Sequence, residues 1–213
     1  MLGKLIVISG FSGAGKGTIV KHLMEHFNNY ALSISATSRN KRPGEQEGIH
    51  YFFVSKDKFE DMISHDELLE YAKYNENYYG TPKSFVAKQL SEGKNVILEI
   101  EINGALQVKK KFNDAILIFI TAPSYESLVD RLRTRGTETI EQINNRLKIA
   151  LNEASVLSEY SYIIINRDVE RSATLIDGIV NDNSESIDIV SSTRTDVMDI
   201  IRSIENSIKT YVK

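Results

Sequence analysis

Short apolar runs alternate with amphipathic patterns along most of the chain. Residues 4–8 form the first apolar run, and the apolar side chains between Ile19 and Phe27 share one face of a helix with about 3.6 residues per turn. The same reasoning predicts further strands at residues 31–35, 51–54, 95–100, 115–120 and 162–165. An amphipathic pattern from Val197 to Ile208 predicts a last helix. Strands that alternate with helices favour an α/β fold with a mostly parallel sheet.

Capping residues indicate where the other helices begin. Helices are predicted to begin at Asp57 and at Ser84, and Ser124 is predicted to cap another. Residues 139–142 have the spacing of a capping box, so Gly136 is predicted to join two helices in a hairpin.

A polar stretch at residues 39–48 interrupts the alternation of strands and helices. It contains Pro43 and glycines, which favour a loop over a plain crossover between parallel strands. Residues 35–90 are therefore predicted to form an inserted lobe.

Length and composition narrow the classes of protein. The 213 residues, of which 41% are hydrophobic, suffice for one domain with a proper hydrophobic core. The net charge of −3 argues against sequence-independent binding of nucleic acid. The absence of cysteine excludes disulfides, thiolate zinc sites and a cysteine nucleophile, and it fits a reducing compartment. We expect a cytoplasmic protein without a signal peptide or membrane span, since no run of about 18 apolar residues occurs.

A glycine-rich loop lies between the first predicted strand and the first predicted helix. The segment from Gly10 to Lys16 has the glycines and the lysine of a phosphate-binding loop, in the context that such a loop requires. Its backbone N–H groups attract anions, and Lys16 can reach the β- and γ-phosphates of a nucleoside triphosphate. The strict pattern has Ser or Thr after the lysine as a Mg²⁺ ligand, whereas Gly17 stands there and the hydroxyl follows at Thr18. The loop predicts a nucleoside triphosphate site and leaves the metal ligands open.

Residues of the predicted lobe indicate a second phosphate site. Arg39 and Arg42 stand three residues apart on a predicted loop, and arginine binds phosphate through two parallel hydrogen bonds. Downstream, the carboxylate of Glu70 could accept hydrogen bonds from the edge of a nucleobase. The nearby tyrosines could equally fill a hydrophobic core.

Five segments together resemble guanylate kinase. They are GFSGAGKGT (10–18), SRNKRPGEQEGIHYFF (38–53), NYYGTP (77–82), ILEIEINGA (97–105) and RLRTRGTETIEQINNRL (131–147), in the family's order and spacing. The resemblance covers roughly residues 4–180 and implies ATP-dependent phosphorylation of GMP to GDP, in purine nucleotide metabolism. It also implies a single domain built on a three-layer P-loop kinase core. The implied parts are the core (1–34, 91–123, 159–213), a GMP-binding lobe (35–90) and a helical lid (124–158).

The resemblance assigns roles to individual residues. It implies that a serine, two arginines and two tyrosines hold the GMP phosphate: Ser35, Arg39, Arg42, Tyr51 and Tyr79. It implies that Glu70 and Thr81 read the guanine edge, where the family usually has Ser in place of the threonine. Glu99 and Glu101, ahead of a predicted turn at Gly104, would lie near the acceptor sugar or the metal. The residues implied to bind ATP are Gly10, Phe11, Ser12, Gly13, Ala14, Gly15, Lys16, Gly17, Thr18 and Asn166.

The implied catalytic residues all carry positive charge. Phosphoryl transfer through a loose transition state needs positioning and charge neutralisation rather than a general base. Lys16, Mg²⁺ and three lid arginines would supply these: Arg131, Arg135 and Arg146. Lobe and lid are expected to close over both nucleotides. The expected partners are GMP and ATP, with no nucleic acid and no membrane, in a monomer or a homodimer.

Two other functions stay open on the sequence. A non-catalytic binding module with a guanylate-kinase-like fold would be expected to lack the glycine loop or Lys16, both of which are present. A kinase of another small phosphorylated acceptor, such as a phosphorylated sugar, would have no reason to keep Glu70 and Thr81.

Overall fold

The computed structural model describes residues 2–134, 141–144, 147–148, 156–182 and 194–211. In chain order the elements are β1 (Leu5–Gly10), α1 (Lys16–His26), β2 (Tyr30–Leu32), β3 (Ala36–Thr37), β4 (Phe52–Phe53), α2 (Lys56–Ser64), β5 (Leu68–Tyr74), β6 (Asn77–Pro82), α3 (Lys83–Ser91), β7 (Asn95–Glu99), α4 (Ile102–Lys111), β8 (Ile116–Thr121), α5 (Tyr125–Thr134), a 3₁₀ turn (Leu157–Glu159), β9 (Tyr162–Ile165), α6 (Val169–Val180) and α7 (Arg194–Tyr211). The chain divides into two compact units, of which the first comprises Met1–Val7 and Asn29–Ala115 and the second Ile8–Asn28 and Ile116–Lys213.

A five-stranded sheet has the order β2-β7-β1-β8-β9. Its pairs β2-β7 and β8-β9 are parallel. Every side chain of β1 is buried, which is why this strand appears in the sequence as a continuous apolar run and not as an alternating pattern. The prediction of an α/β fold with a mostly parallel central sheet is confirmed.

The first unit contains a second sheet of four strands, in the order β4-β3-β6-β5. Strands β5 and β6 form a hairpin whose two-residue turn, Asn75 and Glu76, has positive φ at both positions. The sheet has a small core of its own, built from Ala36, Phe59, Met62 and Leu68. The hairpin falls in the predicted lobe but was not itself predicted, because a shift in the register of β5 breaks the alternation of polar and apolar residues.

The second unit packs helices around its part of the central sheet. Helix α1 contacts α6, and α7 contacts α5 and β9. Ile201, Ile204 and Ile208 of α7 are buried, as the amphipathic pattern of this segment predicts. The hairpin predicted at Gly136 lies outside the described residues, as do Arg135 and Arg146.

Several predicted boundaries move by one to three residues. The helix predicted to begin at Asp57 is α2, which Ser55 caps by accepting a hydrogen bond from Lys58 N–H. The prediction of a turn at Gly104 is wrong, because this glycine lies inside α4. Helices α4 and α6 were not predicted. None of the described helices combines the length and the apolar composition needed to cross a bilayer. The division into core, lobe and lid stays a prediction.

Candidate active site

Three glycines shape the loop between β1 and α1. Gly10, Gly13 and Gly15 all have positive φ, which L side chains adopt rarely. A Cβ atom at Gly10 would lie 2.0 Å from the carbonyl oxygen of Ile120, and one at Gly15 would lie 2.5 Å from Nδ2 of Asn166. The loop therefore needs glycine at these two positions for space as well as for backbone conformation.

Helix α1 begins at Lys16, directly after this loop. Gly15 is its N-cap and supplies no side-chain hydrogen bond, so backbone N–H groups form the positive end of the helix without a side-chain cap. The ammonium group of Lys16 folds back and donates to the carbonyl oxygens of Gly10 at 2.5 Å and of Phe11 at 3.2 Å. A phosphate oxygen carries negative charge and a carbonyl oxygen does not, so a phosphate group competes well for this ammonium. The arrangement suits the binding of a phosphate.

Arg131 and Asn166 brace the loop from within the second unit. The guanidinium of Arg131 donates to the carbonyl oxygen of Ala14 at 3.1 Å and to that of Asn166 at 2.9 Å. The amide of Asn166 is buried and donates to the same Ala14 oxygen at 2.8 Å. These two predicted site residues thus lie together beside the glycine loop.

A cavity of about 290 Å³ lies in the first unit. It brings together six of the residues predicted to bind the acceptor nucleotide, namely Ser35, Tyr51, Glu70, Tyr79, Glu99 and Glu101. Three other predicted residues do not line the cavity: Thr81, Arg39 and Arg42. Of these, Thr81 contacts Glu70 and Arg39 contacts Tyr51, which are both lining residues. The volume is close to the lower end of the range that is typical of small-ligand sites.

Glu70 is a buried carboxylate in the wall of this cavity. Its side chain is 4% exposed, and the hydroxyl of Thr81, which is fully buried, donates to Oε1 at 2.7 Å. Burial raises the pKa of Glu70, and the neighbouring charge of Glu101 raises it further, while the bond from Thr81 opposes the shift. A buried carboxylate needs hydrogen-bond donors, so this wall of the cavity favours a ligand that offers N–H groups.

Helix α4 packs closely against the Glu70 carboxylate. A Cβ atom at Gly104 would lie 2.7 Å from Oε2 of Glu70 and 3.2 Å from its Cδ. Only glycine leaves room for the carboxylate in this position. The glycine is thus a packing requirement of the site.

Glu45 orients one of the two arginines predicted to bind phosphate. The guanidinium of Arg39 donates to Oε1 of Glu45 at 2.7 Å and to Oε2 at 3.1 Å, and Arg42 N–H donates to Oε2 at 2.7 Å. The bond from Arg39 and then that from Arg42 lower the pKa of Glu45 to about 2. The guanidinium of Arg39 also lies over the ring of Tyr51, at 5.5 Å from its centroid. The hydrogen bond with Glu45 raises the pKa of Arg39, and a hydrogen bond with Tyr79 raises it further.

Glu99 and Glu101 belong to the lining of the cavity. Glu99 is the last residue of β7, and Glu101 is the residue before α4. Both are exposed. Within the described part of the chain, no three acidic, histidine or cysteine side chains are placed to hold a metal ion together.

Three residues of the site's surroundings were not predicted to contribute to it. Gly104 was predicted only as a turn, Glu45 is one of several charged residues on a polar loop, and Gln107 of α4 carries no motif. A glycine within a helical pattern is a signal of close packing that could have identified Gly104. Glu45 has no comparable signal although its partners Arg39 and Arg42 lie on the same loop, because a polar loop offers several carboxylates. Gln107 has none because the fold brings it to the backbone of Tyr71, which lies 36 positions away in the chain.

The fold and the site together define an α/β protein that has a phosphate-binding loop and an acidic cavity of about 290 Å³. Comparison with known proteins narrows this class. The guanylate kinase family model matches residues 2–183. A guanylate kinase from Caldanaerobacter subterraneus subsp. tengcongensis is 52% identical over 178 residues, which cover 84% of this chain and 86% of the relative. One from Clostridioides difficile is 45% identical over 185 residues, which cover 87% and 90%.

A solved structure agrees with the sequence relatives. The guanylate kinase from Anaplasma phagocytophilum superposes with a TM-score of 0.66 at 31% identity, covering 85% of this chain and 86% of the other. The chain belongs to the guanylate kinase family.

Proposed function

We propose that this protein is a guanylate kinase, which transfers the γ-phosphoryl group of ATP to GMP and releases ADP and GDP. The observation that carries the proposal is the buried Glu70 carboxylate in the wall of a nucleotide-sized cavity, in a chain that also has a complete glycine loop with its lysine. Family membership supports the same reaction.

Guanine recognition follows from the hydrogen-bonding pattern of the base. Guanine presents an N1–H and an exocyclic amine side by side, and a carboxylate can accept from both. We assign this role to Glu70 and the contact with O6 to Thr81, whose hydroxyl donates its one hydrogen to Glu70 at 2.7 Å in this structure and would turn that hydrogen towards O6 when the base takes over the bond to the carboxylate. Adenine has no N–H at N1 and would leave the buried carboxylate without a donor there, at a cost that favours GMP.

The phosphate of GMP is assigned to hydroxyl residues of the cavity lining and to the two nearby arginines. Arg39 can bind it through two parallel hydrogen bonds, with Ser35, Tyr51, Tyr79 and Arg42 as further donors. Glu45 holds Arg39 in place before any phosphate arrives, which reduces the entropy lost on binding. Glu99 and Glu101 are assigned to the ribose or to the metal.

The phosphoryl step requires charge neutralisation and alignment. A phosphate oxygen of GMP attacks the γ-phosphorus of ATP, and the bond from that phosphorus to the bridging oxygen breaks, so that ADP leaves with the electron pair. The loop N–H groups and Lys16 are proposed to hold the β- and γ-phosphates, while Arg131, Arg135 and Arg146 are proposed to stabilise the charge that moves in the transition state.

Mg²⁺ is proposed to accompany ATP. Hydroxyl and carboxylate oxygens suit this hard ion, and Thr18, Glu99 and Glu101 are the candidates among the predicted site residues. With Gly17 directly after the lysine, most ligands are expected to be phosphate oxygens and water. The ion would supply neutralising charge to the phosphates. Location in the cytoplasm and a place in purine nucleotide metabolism stay predictions from the sequence.

The proposal is tested by measuring ADP production from ATP and Mg²⁺ with GMP, AMP, CMP, UMP and dTMP in turn. We expect selective turnover of GMP that Lys16→Ala abolishes. Lys21→Ala is the matched control, because Lys21 is a solvent-exposed lysine of the same helix that pairs only loosely with Glu25. Turnover of another monophosphate would contradict the roles of Glu70 and Thr81, and inactivity of the folded protein with all five would refute the kinase.

A further inference from the structure

Helix α4 holds the edge strand of the four-stranded sheet. The side-chain amide of Gln107 makes two hydrogen bonds with one residue of β5: Oε1 accepts from Tyr71 N–H at 3.2 Å, and Nε2 donates to Tyr71 O at 3.0 Å. Within a sheet, such a pair of backbone groups bonds to the next strand. Since β5 is the edge strand, the amide of Gln107 takes the place of a neighbouring strand at this residue.

These two hydrogen bonds lie next to Glu70, the residue assigned to guanine. Glu70 directly precedes Tyr71, in the irregular part of the hairpin where the register of β5 against β6 shifts between Leu68 and Tyr71. Such an irregularity re-aims side chains and lacks part of the ladder that would otherwise fix the backbone. The direction of the Glu70 side chain therefore depends on what else restrains its neighbours.

Two more residues of α4 contact the same part of β5. Gly104, Gln107 and Lys111 are spaced by three and four residues and so share one face of the helix. Gly104 lies against the Glu70 carboxylate, and the ammonium of Lys111 donates to the carbonyl oxygen of Leu68 at 3.0 Å. One helix face thus contacts β5 on both sides of the irregularity and at Glu70 itself.

We propose that Gln107 is a positioning residue for guanine recognition. By holding both backbone polar groups of Tyr71, it keeps the Glu70 carboxylate where it can accept from the N1–H and the exocyclic amine of the base. Gln107 is not among the residues that line the cavity, so its effect on the nucleotide passes through Glu70. The inference rests on the proposed function, since it requires guanine as the bound base.

The test compares two variants of Gln107 with a control on the same helix. Gln107→Met keeps the length of the side chain and removes both hydrogen bonds, whereas Gln107→Glu keeps an acceptor for Tyr71 N–H and loses the donor. Lys110→Met is the control, because Lys110 is exposed. Steady-state kinetics are measured with GMP, with ATP and with IMP, both as substrate and as inhibitor against GMP. IMP lacks the exocyclic amine, so the preference for GMP over IMP reports the alignment of the carboxylate.

We expect Gln107→Met to raise the KM for GMP about tenfold and to narrow the preference for GMP over IMP, with the KM for ATP unchanged. Gln107→Glu should shift the same quantities at least as much, because it places a carboxylate oxygen against the carbonyl oxygen of Tyr71, and Lys110→Met should match the wild type. An unchanged GMP-to-IMP preference in Gln107→Met overturns the inference. Equal losses with GMP and IMP, together with a lower unfolding midpoint, overturn it as well, because they indicate a purely structural role. A wild-type protein that does not phosphorylate GMP would refute the proposed function and this inference with it.

Discussion

Replacing Gly104 with alanine is expected to weaken GMP binding strongly and to change the free energy of unfolding only modestly. The new Cβ would lie 2.7 Å from Oε2 of Glu70, whereas ordinary contacts of such an atom begin near 3.4 Å. The carboxylate must therefore move by about 0.7 Å, and it is the end of a side chain rather than a fixed backbone group. Movement of this size misaligns the hydrogen bonds that Glu70 is proposed to accept from the base.

Helix propensity and overpacking change the stability of Gly104→Ala in opposite directions. Alanine stabilises a helix interior by about 1 kcal/mol relative to glycine, while overpacking at a buried site costs about 1–3 kcal/mol. The free energy of unfolding should thus change by no more than about 2 kcal/mol. A hydrogen bond to a charged group contributes about 1.5–3 kcal/mol, so weakening one of them should raise the KM for GMP by about 10- to 100-fold.

Initial rates measured against GMP at saturating ATP, and against ATP at saturating GMP, give the two KM values, and urea denaturation gives the stability. The KM for ATP should not change. Asn103→Ala is the matched control, because it adds helix propensity at an exposed position of the same helix without adding an atom beside Glu70. An unchanged KM for GMP in Gly104→Ala would refute the reasoning.

Three further changes test other parts of the site. Glu70→Gln should raise the free energy of unfolding at pH 7 and weaken GMP binding, because folding raises the pKa of this carboxyl and its ionisation therefore destabilises the fold at neutral pH. Urea denaturation measures the gain in stability, and a gain that persists below pH 4.5, the ordinary pKa of the group, would contradict this cause. Glu45→Gln should raise the KM for GMP several-fold and leave that for ATP unchanged, because Arg39 loses its charged partner; equal effects on both KM values would argue against it. Arg131→Lys should raise the KM for ATP several-fold, since one ammonium cannot replace the two hydrogen bonds that the guanidinium donates to the carbonyl oxygens of Ala14 and Asn166. An effect on the KM for GMP alone would refute this reasoning.

The central sheet and the phosphate-binding loop could be predicted because their signals are local. A buried parallel strand is apolar along its length, and β9 was predicted with the bounds that the structure gives it. The glycines of the loop need positive φ, which is a property of each residue's own backbone.

The hairpin of β5 and β6 could not be predicted from the same signals. Its register shifts next to Glu70, so neither strand shows a clean alternation, although Asn75 at the turn is a residue type that tolerates positive φ. In the sequence, Gly104 predicts a turn, whereas the structure shows that the space beside it is taken by the carboxylate of Glu70, 34 positions earlier in the chain.

The α/β class, the phosphate loop and the family could be inferred before the fold was known, because these depend on short segments whose order and spacing can be read along the chain. The folded arrangement was needed to show that Glu70 is buried, that Thr81 and Gly104 contact its carboxylate, and that Gln107 bonds to the backbone of the next residue. Burial and hydrogen bonding depend on groups that the fold brings together from distant positions. The chemistry of the carboxylate is therefore a property of the folded chain rather than of the segment that contains it.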